Sequence, residues 1–206
     1  MIYLITSAAI SYIIGSINSS VIISKSFYGT DIRKTGSGNA GATNALRTFG
    51  KKAGAAVFIF DFLKGLICAS AAKCLVYFLN APYECILIAG FFVQIGHIFP
   101  VFFKFKGGKG VATAAGAALA IMPMVAVSLL VLFAVIVAIT KTVSLASGIC
   151  AAVYPLLALL WSSTNASANF IFAASCAVMI TVKHTPNFVR LLDGEEKKIS
   201  FKRKNE

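Results

Sequence analysis

Long uncharged apolar runs alternate with short polar loops along this chain. The runs fall at about residues 2–24, 54–79, 85–99, 111–122, 124–140, 145–160 and 170–183. A bilayer interior accepts only segments whose backbone groups are satisfied internally, so the pattern predicts an all-α integral membrane protein, a polytopic bundle of about seven transmembrane helices. Several runs are shorter than the roughly 20 residues of a full crossing. Short helices are tolerated where they are buried in protein or line a polar cavity.

Residues 111–140 decide the count. They form 30 consecutive uncharged residues with Pro123 in the middle. As one helix they would reach about 45 Å, well over the ~30 Å apolar thickness. The charges favour two helices that turn near Met122-Pro123. Residues 25–52 carry six Lys or Arg, the 100–110 loop carries Lys104, Lys106 and Lys109, Lys141 stands alone, and residues 183–206 carry seven. Residues 80–84 and 161–169 carry none. Only an even split at Pro123 puts every basic loop on one side, which gives seven crossings with the N-terminus out and the C-terminus in. Five crossings with re-entrant segments is the fallback. Lys64 lies inside a run, three residues after Asp61, so the two can pair on one helix face. It reads equally as part of a functional interior and as a snorkelling side chain.

Composition agrees. The chain is 58% hydrophobic, against about 45–50% for a soluble domain. Charged residues make up 13%, yet the net charge is +12. The cations sit in loops beside apolar spans rather than on a nucleic-acid platform, so nucleic acid is not an expected partner. Cys68, Cys74, Cys85, Cys150 and Cys176 lie in apolar runs without C-x-x-C spacing and read as buried small hydrophobes. The first run lacks a basic n-region and reads as a retained helix. Asn165-Ala166-Ser167 spells a glycosylation sequon that matters only in a eukaryotic secretory pathway. A single membrane-embedded domain over 1–206 is expected, with 199–206 a basic tail.

Three polar constellations carry the chemistry. Ser37-Gly38-Asn39-Ala40-Gly41-Ala42-Thr43-Asn44-Ala45-Leu46-Arg47 joins glycines to side-chain donors and a planar cation, a composition that suits an oxyanion. Gly96-His97 and Gly107-Gly108-Lys109-Gly110 come next; the latter is a glycine-rich turn into a helix N-terminus with a lysine at its centre. It does not match a Walker loop. His184, Asn187 and Arg190 follow at helical spacing, with Glu196 beyond. Ser144 and Ser147 add a minor element. By the topology all of them share one face. No His/Asp/Glu ligand cluster is present, so neither a metal nor a cofactor is expected.

In order, these motifs resemble the acyl-phosphate:glycerol-3-phosphate acyltransferases of bacteria, the PlsY family. The resemblance rests on Ser-Gly-Asn-x-Gly-x-Thr-Asn-x-x-Arg at 37–47, Gly-His-x-Phe-Pro and Gly-Gly-Lys-Gly-Val-Ala-Thr within 96–113, and His-x-x-Asn-x-x-Arg-Leu-x-x-Gly-x-Glu at 184–196. Asp61, Lys64-Gly65 and Val143-Ser144-Leu145 also look like the family, while Ala40 stands where proline is common in it. The resemblance implies an inner-membrane enzyme whose site faces the cytoplasm. Its substrates would be acyl phosphate and glycerol 3-phosphate, its surrounding partner membrane lipid, and its products lysophosphatidic acid and phosphate. On that reading Ser37, Arg47 and Lys109 bind phosphate, and Gly38, Asn39, Thr43, Asn44, His97, Gly107, Gly108, Arg190 and Glu196 complete the substrate pocket. Lys109 also stabilises the leaving phosphate, and His184 with Asn187 orients or deprotonates the attacking hydroxyl, a substrate phosphate being the alternative base. Ser144 is a lesser candidate for a covalent intermediate. A transporter of an organic phosphate is the competing class. Against it stand the lack of an evident inverted repeat and the placement of the polar motifs at one face.

Overall fold

The computed structural model describes residues 1–199, and all regular structure among them is helical. The helices are α1 (Ile2–Gly15), α2 (Ser19–Tyr28), α3 (Ala42–Phe49), α4 (Lys51–Leu79), α5 (Glu84–Ile98), α6 (Val111–Ile121), α7 (Pro123–Thr140), α8 (Val143–Trp161) and α9 (Ala166–Leu192). Counting α1–α2 as one segment, six are long and apolar enough to cross a membrane, and α6 is shorter. The molecule is a multi-pass membrane protein. The expected break at Pro123 is present, with the proline opening α7, a position where its missing N–H costs nothing.

The first run is not one helix. It breaks at Ser16–Asn18, where the Asn18 side chain caps α2 by accepting from the Val21 N–H at 3.1 Å. The carbonyls that the break orphans are taken by Lys64. Its ammonium donates to Gly15 O and Ile17 O, each at 3.1 Å, and lies 3.0 Å from both Asp61 Oδ1 and His97 Nδ1. Ser19 Oγ also donates to Asp61 Oδ1, at 2.9 Å. Lys64 and Asp61 are therefore buried and paired, and Lys64 does not snorkel. This cluster pins α1, α2, α4 and α5 together.

At eleven residues, α6 is about 16 Å long, roughly half the apolar thickness. Its sequence Val-Ala-Thr-Ala-Ala-Gly-Ala-Ala-Leu-Ala-Ile lets it sink against α4. A Cβ at Gly116 would strike the Phe62 carbonyl, and one at Gly65 the Thr113 carbonyl. The helix is mostly buried, whereas α7 fully buries only Val125 and Ala126 and leaves the rest half-buried or exposed. Two cysteines depart from expectation: Cys74 is exposed, and Cys150 is half-buried, its thiol facing the Leu129 carbonyl of α7 at 3.5 Å. At one end of the bundle the turns before α5 and α9 are tied together. Tyr83 Oη donates to Asn169 Oδ1 at 2.8 Å, and Asn169 Nδ2 to Ser162 Oγ at 3.0 Å. The polar motifs gather at the other end.

Candidate active site

Two loops are built first. In the 35–41 loop, the buried Asn44 of α3 donates its amide to the carbonyls of Ile32, Thr35 and Asn39 at 3.0–3.2 Å and accepts from the Ser37 N–H at 2.9 Å. Gly38, at φ +72°, turns this loop. In the 104–110 loop, the N–H groups of Gly107 and Gly108 donate to Ile98 O and His97 O at 3.2 and 3.1 Å. A Cβ on Gly108 would meet the His97 ring and Ala40 O, so only glycine allows the two loops to approach so closely. Arg33 ties them further, donating from Nη1 to Phe103 O at 2.9 Å.

Between the loops and the ends of α4, α7, α8 and α9 lies a cavity of about 560 Å³, within the range of ligand sites. Ser37, Asn39, Thr43, Asn44, Arg47, His97, Lys109, Ser144, His184, Asn187 and Glu196 all line it, as the motifs lead one to expect. Gly38, Gly107, Gly108 and Arg190 do not. The N–H groups of the two loop glycines are already spent on α5, so these residues shape the cavity rather than donate into it. Arg190 instead faces Glu196. Phe58, Asp61, Phe133, Ser147 and Ile199 also line the cavity. Phe58 and Phe133 are apolar residues in apolar runs and carry no sequence signal. Ile199 falls in the stretch read as a basic tail, the remainder of which, 200–206, lies outside the described residues.

The cavity is built for an anion. Helices α3, α6 and α8 all begin on it, at Ala42, Val111 and Val143, and none has a side-chain N-cap. Three sets of unsatisfied N–H groups and three positive dipole ends therefore meet there. Arg47 is half-buried. Its Nη2 donates to Lys197 O at 2.5 Å, while Nε is buried with no hydrogen-bond partner among the described residues. Lys109 donates to Asn187 Oδ1. Burial pushes its ammonium down to about 8, with Glu196 acting against the shift and Arg190 and Arg47 adding to it. Burial likewise lowers Arg47.

Glu196 is the anionic hub. Ser144 Oγ and Asn187 Nδ2 donate to Oε1 at 2.8 and 2.7 Å, and Arg190 Nε to Oε2 at 3.0 Å. Burial works against its charge, but these bonds outweigh it and hold the carboxyl below its usual range. Ser144 is thus bonded to Glu196 rather than to His184.

Helix α9 runs straight through Pro186 to Leu192, so His184, Asn187 and Arg190 do share a helical face. The proline removes one backbone N–H, and the Thr185 hydroxyl takes up the freed Val182 carbonyl at 2.9 Å. His184 is buried and stacks on Phe188. Its Nδ1 lies 2.8 Å from Ile180 O. A carbonyl only accepts, so Nδ1 carries the proton and Nε2 keeps its lone pair.

An apolar groove leaves the cavity through Val111, Ala112 and Phe133 and continues between α6, α7 and α8 past Ala118 and Leu129 to Tyr154.

Residues 5–194 match the family model described as glycerol-3-phosphate acyltransferase. Glycerol-3-phosphate acyltransferases of Thermoanaerobacter sp. (strain X514) and Listeria monocytogenes are 41% identical over 201 residues and 42% over 203, covering 97% of this chain and 98% of theirs. Two crystal structures of PlsY, an integral membrane glycerol 3-phosphate acyltransferase, resemble the fold. The glycerol 3-phosphate form has a TM-score of 0.87 at 36% identity, covering 96% of each chain. The lysophosphatidic acid form scores 0.83 at 34% identity, covering 96% of this chain and 95% of the other.

Proposed function

The chain belongs to the glycerol-3-phosphate acyltransferase family, and from that premise we propose that it moves a fatty acyl group from acyl phosphate to the 1-hydroxyl of glycerol 3-phosphate. The observation that carries this reading is the union of a cationic cavity, onto which three uncapped helix N-termini open, with an apolar groove. One compartment suits phosphate groups and the other an acyl chain, and they join where the acyl carbonyl would lie.

The hydroxyl oxygen attacks the acyl carbonyl carbon. The bond from that carbon to the phosphate oxygen breaks, and inorganic phosphate leaves with the bonding pair. Acyl phosphate is a mixed anhydride, so no acyl-enzyme is needed; Ser144, already bonded to Glu196, is a positioning group. Arg47, Ser37 and Lys109 bind the phosphate of glycerol 3-phosphate, and Lys109 with the helix N-termini also stabilises charge on the departing phosphate. His184 Nε2 orients the hydroxyl and accepts its proton. Glu196 repels phosphate and acts by fixing Asn187 and, through it, Lys109.

We further place the enzyme in the bacterial inner membrane with seven crossings, N-terminus out, C-terminus in and the cavity facing the cytoplasm. Support comes from α6, which begins at the cavity and ends beside Tyr83 and Ser162 at the opposite end of the bundle, and from the basic loops that surround the cavity.

The test is turnover of purified protein in lipid, supplied with glycerol 3-phosphate and either acyl phosphate, acyl coenzyme A or acyl carrier protein. Lysophosphatidic acid and phosphate in equal amounts from acyl phosphate alone is the expected result. Product from a thioester and none from acyl phosphate overturns the donor. Absence of product from all three, with phosphate ester crossing the vesicle wall, makes the protein a transporter.

A further inference from the structure

Past the C-terminus of α9 the chain turns back over the cavity. Gly194 at φ +73° reverses it, and the Glu195 N–H closes the helix end on Arg190 O at 2.7 Å. The next residues cross the cavity mouth and are fastened to three helices in turn. Glu196 is held by Ser144 of α8 and by Asn187 and Arg190 of α9. The Lys197 carbonyl accepts from Arg47 of α3. The Ile199 N–H donates to Lys141 O, 2.8 Å away in the turn before α8, and the Ile199 side chain is buried in the cavity wall. The side chains of Lys197 and Lys198 stay exposed.

A guanidinium on a long side chain is useful to a phosphate only if its plane is fixed. Here one Nη is spent on the Lys197 carbonyl, and the buried Nε is left without a partner among the described residues. Resting on the function proposed above, we propose that Lys197–Ile199 is a strap that orients Arg47 toward the phosphate of glycerol 3-phosphate, with Ile199 the positioning residue that anchors it. The strap acts on substrate binding through Arg47 and touches no reacting atom.

In Ile199→Ala the KM for glycerol 3-phosphate rises about tenfold, the loss of roughly one charge-assisted hydrogen bond. The kcat and the KM for the acyl donor stay within about twofold. In an Arg47→Ala background the same change adds nothing to the glycerol 3-phosphate KM, since the two residues act as one unit. An unchanged KM with a lowered melting temperature, or additive effects in the double variant, overturns the proposal. A second measurement needs neither variant nor turnover. Anion binding at Arg47 and closure of the strap are linked, so each favours the other. Inorganic phosphate therefore slows tryptic cleavage after Lys197 and Lys198 in the wild-type protein; cleavage indifferent to phosphate sinks the strap. If wild-type protein yields no lysophosphatidic acid while phosphate still protects the strap, the assigned reaction falls and the strap stands.

Discussion

Two residues of the cavity make separable predictions. Lys109 is held near pH 8 chiefly by burial. Only its protonated form attracts a phosphate, so the KM for glycerol 3-phosphate should climb as pH rises from 7 through 8 to 9.5. A phosphate monoester is already fully ionised there, its second pKa being about 6, so the substrate does not supply this trend. Lys109→Arg, which keeps its charge throughout, should flatten the profile, whereas Lys109→Ala should lose about 2–4 kcal/mol of transition-state stabilisation, read as kcat/KM. A wild-type KM constant from pH 7 to 9.5 contradicts the assignment. His184 is the other case. Its Nδ1 faces Ile180 O, which leaves Nε2 as an acceptor; on the base role proposed above, His184→Ala should lower kcat by about 10²–10⁴. His184→Asn keeps a hydrogen bond but accepts no proton. Near-wild-type kcat in that variant would move the base to a substrate phosphate, and a loss of melting temperature alone would reduce His184 to a helix-end residue.

At the scale of elements, α6 carries the most consequence for its length. Its N-terminus aims Lys109, Gly110 and a dipole end into the cavity, and its side faces α4 through Gly116 with no room for a methyl group. A Gly116→Ala change forces backbone apart from backbone, for which overpacking costs of about 1–3 kcal/mol are usual. Both the melting temperature in detergent and kcat/KM should fall together, because the displaced helix carries the site with it. Full activity with an unchanged melting temperature would mean that the α4–α6 seam has slack.

For the whole molecule, the prediction is topological. In a background free of native cysteines, a single cysteine at Thr164 should react with an impermeant thiol reagent in intact cells, and one at Glu195 only after permeabilisation; labelling at 195 from outside contradicts seven crossings. The same scale shows what was readable beforehand. The apolar runs, the break at Pro123 and the three motifs were legible, because chain length against membrane thickness, a proline's missing N–H, a glycine turn and helical spacing are all local properties. The Asn18 cap is a local cue to the break at Ser16–Asn18, but nothing local says what satisfies the carbonyls freed there. Lys64 does so, donating to Gly15 O across 49 residues. Nor does spacing tell a glycine that donates to a ligand from one that donates to α5, as Gly107 and Gly108 do. Glu196 meets Ser144 across 52 residues, and Arg47 meets the Lys197 carbonyl across 150. The sequence by itself determined which groups reach the cavity end of the bundle. Which of them are spent on one another, and which stay free for a ligand, was decided only by tertiary packing, since a hydrogen bond depends on distances that no pattern along the chain encodes.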